Sequence, residues 1–213
     1  MFDLVIPSLM QTLYMVFFST IFSLLLGFPL GILLVITEKG NIWEKPFLNK
    51  VLNSIINLLR SFPFLILMIL IFPLSKIIVG KTIGTTATIV PLSIAAAPFV
   101  ARVMESSLKE VDKGVIESSL SMGATTSQII TKVLIPESLP SIILGVTLTI
   151  INIIGYSAMA GSIGGGGLGD LAIRFGLYRF QTDVMIIAVI IIVILVQSVQ
   201  FIGNTLAVKL NKK

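Results

Sequence analysis

Five long apolar stretches, nearly free of charge, constrain this chain more than any other feature. A membrane-spanning helix needs about 20 apolar residues to cross roughly 30 Å of hydrocarbon. Between Asp3 and Glu38 lie 34 uncharged residues, enough for one span at about 12–37. Only Arg60 interrupts the stretch between Lys50 and Lys76, which gives a second span at about 57–75. Residues 82–101 carry no charge and form a third, containing Pro91 and Pro98. The 32 uncharged residues between Glu137 and Asp170 hold a fourth at about 140–161, and the Ile- and Val-rich run at about 184–208 is the fifth. Charged residues make up 12% of the chain and mean hydropathy is +1.06, too little polarity to solvate a globule of this size in water. The expected fold class is an all-α integral membrane protein with five spans.

An odd number of spans puts the termini on opposite sides, and the Lys and Arg bias orients them. With the C-terminus inside, the inner segments hold Lys39, Lys45, Lys50, Arg102, Lys109, Lys113, Lys132, Lys209, Lys212 and Lys213. The outer segments hold Lys76, Lys81, Arg174 and Arg179, so the balance is ten to four for N-terminus out and C-terminus in. The net charge of +5 follows from this bias and calls for no nucleic-acid partner. The start of the chain carries Asp3 and no basic region, and its apolar run is too long for a signal peptide, so the first span reads as a retained anchor. The halves show no sequence repeat, which argues against an internally duplicated transporter. With no cysteine and no histidine there is no disulfide framework, no Cys or His nucleophile system and no ordinary zinc site.

The segment 102–137 differs from the other loops. It is 36 residues long, lies on the inner side in this topology, and is patterned for helices, with Val111, Val115, Leu120 and Met122 set among polar residues. Thr125 followed by Gln128 has the form of a capping box opening a second helix through Ile135, which Pro136 is expected to stop. Such a charged helix pair cannot bury its apolar face alone and needs a partner.

Glu117-Ser118-Ser119, then Gly123, then Val133-Leu134-Ile135-Pro136, resembles the EAA loop of bacterial ABC importer permeases. The two alanines of that pattern are serines here, while Glu117, Gly123 and Pro136 stand unchanged. The resemblance implies that the loop docks on a cytoplasmic ATPase, with Glu117, Ser118, Ser119, Gly123, Val133, Ile135 and Pro136 as the ATPase-coupling residues. Small residues at 118 and 119 would let a partner surface approach, Gly123 would turn the chain, and Glu117 would favour the helix dipole or accept a hydrogen bond. Over the whole chain the similarity is greatest to methionine importer permeases, on Arg60-Ser-Phe-Pro-Phe64 and on Asn152 to Gly161 with the glycine tract that follows.

What the resemblance implies is a single transmembrane domain over 1–213 in a bacterial cytoplasmic membrane. It would import methionine, in D and L forms, or another small amino acid such as glutamine, by alternating access. Its partners would be two ATPase copies carrying ATP and Mg, a second copy of this chain, an extracytoplasmic substrate-binding protein, the amino acid and lipid. No cofactor, metal or catalytic residue is expected in the chain itself, which makes it no enzyme.

Gly164, Gly166 and Gly169 satisfy G-x-G-x-x-G, but no strand–turn–helix unit surrounds them and no Gly-Lys-Ser/Thr follows, so neither a dinucleotide site nor a P-loop is read here. The tract reads instead as a flexible outer break before a re-entrant or short helix around Asp170–Tyr178. On span four, Asn152, Tyr156 and Met159 share one helix side, fitting either a translocation path or gate, or plain helix packing. Gln197, Gln200 and Asn204 read as an interhelical hydrogen-bonding stripe, and Gly27-x-x-x-Gly31 as a close-packing site with Pro29 as a possible kink. Arg60 would snorkel to the interface or pair with Glu117 or a carbonyl. No span holds a central carboxylate, which removes the usual proton or sodium relay and suggests a path without fixed charge.

Overall fold

The computed structural model describes residues 2–211. Among them there is no strand. Helix α1 covers Phe2–Ile36, α4 Thr85–Lys109, α8 Leu139–Gly161 and α10 Thr182–Leu210, and these four are each long and apolar enough to span a membrane. They overlap the first, third, fourth and fifth expected spans, with α1 starting ten residues earlier and ending one earlier, and α4 starting three later and running eight further, than charge-free runs indicate.

The second span differs from expectation. It is a bent pair, α2 (Pro46–Ser61) and α3 (Phe64–Val79), whose axes turn by 106° at the break. The cause is local: proline disfavours helical geometry in the residue before it, and Phe62 before Pro63 is extended at φ −74° and ψ 133°. The expected span of 57–75 runs across this corner. Counted as one span, the pair brings the number to five.

α4 is the hub of the bundle, two-thirds buried, whereas α10 lies at its margin. The closeness of α1 to α4 depends on two glycines. A Cβ on Gly27 would stand 2.5 Å from the Ala97 carbonyl oxygen, and one on Gly31 would stand 2.6 Å from Met104 Cβ, so Gly27-x-x-x-Gly31 is a close-packing site as its spacing suggests. Pro29 lies inside α1, and the helix runs through it unbroken from Phe2 to Ile36.

Val5 near the start of α1 packs with Val184 and Ala188 at the start of α10, which places those two helix starts at one end of the bundle and the end of α10 at the other. That first end is closed by the glycine tract. Gly166 and Gly167 have φ of +79° and +82°, angles that favour glycine, and deliver the chain into a short helix α9 (Gly167–Leu171) continued by a π-helical turn over Ala172–Leu177. The Gly167 and Leu168 amides donate to Gln11 Oε1 and Thr12 Oγ1 of α1, each at 2.9 Å. α9 also lies directly on α8, because a Cβ on Gly169 would overlap the Ala158 backbone. The tract is therefore a fixed joint rather than a flexible break, and its helix begins at Gly167, three residues before the expected start.

A candidate coupling segment anchored to the bundle

The opposite end carries the segment that the sequence singles out. Charge ends the apolar run at Arg102, yet the helix continues for two more turns, so Arg102, Glu105 and Lys109 belong to α4 and not to a loop. They join it to its neighbours. Arg102 pairs with Glu105 at 2.6 Å and donates to Asn57 Oδ1 of α2 at 2.8 Å. Lys109 lies 3.0 Å from both Glu105 and Glu38, the latter just beyond α1. Spacing of three and four residues along a helix gave a signal for the pairs within α4, but not for the links to Asn57 and Glu38.

After α4 the chain makes α5 (Lys113–Ser121). Its N-cap is Asp112, whose carboxylate accepts from the Gly114 amide at 2.7 Å. Asp112 thus holds the helix-dipole role expected of Glu117, which sits mid-helix with its side chain exposed. α5 ends in a Schellman turn: Ala124 N–H donates to the Ser119 carbonyl and Gly123 N–H to the Leu120 carbonyl, with Gly123 at φ +79°. The residue type at 123 is set by that angle.

The Thr125–Gln128 capping box is present and opens α6 (Thr126–Ile129). Pro136 does not stop the helix. α6 widens into a π-helical stretch over Ile130–Leu134 and continues as α7 (Ile135–Glu137). A π turn moves the chain off the i→i−4 pattern, which accommodates the ring of Pro136 and its missing N–H. The break falls at Ser138, after which α8 begins.

The sequence-selected residues separate into two groups. Ser119 is buried, with its hydroxyl donating to the Val115 carbonyl, and Leu134 is fully buried. Val133 and Ile135 are half-buried against a cluster that includes Ile36 of α1, Met104 and Leu108 of α4, and Ile142 of α8. Val133, Leu134 and Ile135 hold the segment to the bundle, the first and last keeping part of their surface exposed, while Ser119 is tied to its own helix. Glu117, Ser118, Gly123 and Pro136 are exposed. Beside Glu117 lies a cavity of about 450 Å³ lined by Glu38, Lys39, Lys109 and Lys113 among others. Val115, Leu120 and Met122 add exposed apolar surface, with Met122 80% exposed.

A second cleft lies midway along the bundle. Asn152 and Tyr156 of α8 line it together with Arg60 and Phe62 at the α2–α3 corner, Phe64 of α3 and Phe99 of α4. The Tyr156 and Phe64 rings stack at 4.2 Å with 5° between planes. Met159 is half-exposed one turn away. Arg60 is exposed and is brought to this cleft, not to Glu117, which lines the other cavity. In the fifth span Gln200 donates to Asn204 Oδ1 within α10 at 2.8 Å, and Gln197 and Asn204 are exposed, so this stripe makes no interhelical bond among the described residues. Lys212 and Lys213, counted in the charge balance, lie outside those residues. No group of three acidic, histidine or cysteine side chains able to hold a metal occurs among them.

Comparison with known proteins agrees with this arrangement. Residues 27–213 match the family model described as "Binding-protein-dependent transport system inner membrane component". The chain is 50% identical over 204 residues to the probable D-methionine transport system permease protein MetI of Vibrio cholerae, covering 96% of this chain and 91% of that one. It is 47% identical over 181 residues to the methionine import system permease protein MetP of Bacillus subtilis, covering 85% and 82%. Its fold superposes on a chain of the inward-facing MetNI methionine ABC transporter with a TM-score of 0.98 at 40% identity, covering 100% of this chain and 98% of that one. An amino acid ABC transporter at 22% identity and a TM-score of 0.78 shares the fold. With a family match over most of its length and an all-helical bundle of four long apolar helices and one bent pair, the chain belongs to the binding-protein-dependent transport system inner membrane components.

Proposed function

We propose that this chain is the membrane-spanning permease of an ATP-driven importer that takes up methionine, with ATP hydrolysed on a separate subunit. The observation that carries the reading is α5, an exposed helix with charged and apolar faces that leads into a segment, residues 129–135, packed on α1, α4 and α8. The names of the relatives in Vibrio cholerae and Bacillus subtilis support the substrate.

In this reading two copies of the chain form the pore, with N-termini outside, C-termini inside and α5 in the cytoplasm. Glu117 and Ser118 face a cleft on the ATPase, and Gly123 and Pro136 shape the chain on either side. The substrate is delivered at the opposite, glycine-tract end by an extracytoplasmic binding protein. Binding of ATP and Mg to the paired ATPases closes them, and the docked α5 segments follow. Because Ile116 of α5 and Val133, Leu134 and Ile135 further along the segment pack on one cluster with Ile36, Met104 and Leu108, displacement of the docked segment is passed to α1 and α4. α4 also lines the central cleft through Phe99, which connects the docking surface to the route of the substrate.

The test is ATP-driven uptake of labelled methionine into proteoliposomes holding this chain, its ATPase and its binding protein, with unlabelled amino acids as competitors. Displacement by methionine alone supports the reading. Uptake of a different amino acid keeps the importer and overturns the substrate, and uptake that does not depend on ATP overturns the coupling assignment.

A further inference from the structure

Arg60 is the one charged residue in the 25-residue stretch between Lys50 and Lys76, and the structure puts it in the central cleft. Asn152 on the far wall lies near the middle of α8. An arginine among apolar helices is expensive in hydrocarbon and is retained where it faces water, protein or a ligand. None of the ion pairs among the described residues involves Arg60. The apolar helices of a second copy offer it no carboxylate either. Residues 4–37, 61–75, 82–101 and 138–169 contain no Asp or Glu, and α10 has its one acidic residue, Asp183, in its first turn.

We propose that the Arg60 guanidinium receives the α-carboxylate of the amino acid in transit, with the Asn152 amide beside it and the stacked Phe64–Tyr156 rings as a flat apolar wall for the side chain. The inference rests on the importer reading above and replaces a path without fixed charge by one with a single positive station. A guanidinium presents planar paired donors that match a carboxylate, and every α-amino acid carries one. The site thus recognises the backbone of the substrate. Discrimination among side chains falls to the aromatic wall and to the binding protein. The cleft is open and Arg60 exposed, which suits a station that is occupied and then vacated.

The test uses the assembled permease–ATPase complex. In proteoliposomes with saturating binding protein, Arg60→Gln should lower methionine uptake by about tenfold or more, as expected for loss of a charged hydrogen-bonded contact. Hydrolysis of ATP stimulated by the binding protein should persist, and Arg60→Lys should restore part of the uptake. Wild-type uptake by Arg60→Gln, or Arg60→Lys no better than Arg60→Gln, overturns the proposal. A measurement on the unaltered complex removes any dependence on folding of the variants. Phenylglyoxal modification of Arg60, followed by mass spectrometry, should be slowed by methionine and not by methioninol, which lacks the carboxylate. Equal rates with methionine, with methioninol and with neither overturn the proposal, as does equal protection by both, and lipid phosphate on Arg60 would give the first pattern. The wild-type uptake control judges the importer reading separately: a different amino acid carried in an Arg60-dependent way supports the carboxylate station while removing methionine as the substrate.

Discussion

Lys109 at the end of α4 and Glu38 just beyond α1 form an ion pair at 3.0 Å, closing the two most intimately packed helices of the bundle at the end that carries α5. Both side chains are more than 40% exposed, so the pair itself is worth little, about 0.2–1 kcal/mol. Lys109 lies three residues before Asp112, the N-cap that opens α5.

A double-mutant cycle with Glu38→Gln and Lys109→Gln should therefore give a coupling energy below about 1 kcal/mol that shrinks as salt is raised. Thermal unfolding of the purified complex at two ionic strengths reads it. A coupling of several kcal/mol, insensitive to salt, would mean that the pair is buried by a neighbouring subunit.

Much of this architecture was legible in the residues, for identifiable reasons. Spans are set by hydrocarbon thickness and the cost of charge, so uncharged runs located α1, α4, α8 and α10. The same logic misplaced the end of α4. Arg102, Glu105 and Lys109 interrupt an apolar run without interrupting a helix, because they satisfy one another and reach Asn57 and Glu38. The α2–α3 corner had a local signal in Phe62-Pro63, masked by continuous apolarity on both sides. Pro136 was misleading because a π turn upstream absorbs it. The glycine tract looked flexible since its rigidity comes from Gln11 and Thr12, more than 150 residues away in sequence. The capping box and Gly123 were readable because their geometry is contained within a few residues.

Ser118 and Ser119 are adjacent in α5, the first exposed and the second buried, which makes them a paired test of docking. Ser118→Trp should leave the chain inserted and stable but lower co-purification of the ATPase by about tenfold or more, because it lies on the exposed face. Glu117→Lys should do the same by reversing the charge offered to the partner. Ser119→Trp should instead reduce the amount of folded chain, because its side chain is 7% exposed and packed inward. If Ser118→Trp and Glu117→Lys both retain the ATPase in full, α5 is not the docking helix.

Two glycines should respond to alanine for different physical reasons. At Gly123 a Cβ meets nothing within 4 Å, so the cost is the left-handed backbone alone, about 1–2 kcal/mol. At Gly169 the backbone is helical and the Cβ would overlap Ala158, forcing α9 off α8. Gly169→Ala is expected to cost at least about 1–3 kcal/mol and to lower the yield of assembled protein more than Gly123→Ala does. Comparable melting temperatures for the two variants would contradict the close α8–α9 contact.

Tyr156 and Met159 differ in what they touch, and this separates a gate from ordinary packing. The Tyr156 ring is stacked on Phe64 across the central cleft at 4.2 Å, whereas Met159 is 49% exposed. Removing the ring deletes an aromatic contact worth about 0.5–1.5 kcal/mol beyond its buried area and widens the cleft between α3 and α8. Tyr156→Ala is expected to raise methionine efflux from loaded proteoliposomes in the absence of ATP, while Tyr156→Phe, which keeps the stack, keeps the seal. Met159→Ala alone should raise the leak less. The Tyr156→Ala/Met159→Ala double variant decides the matter. If its leak and its ratio of methionine moved to ATP hydrolysed both match the unaltered complex, these residues pack helices and do not gate the path.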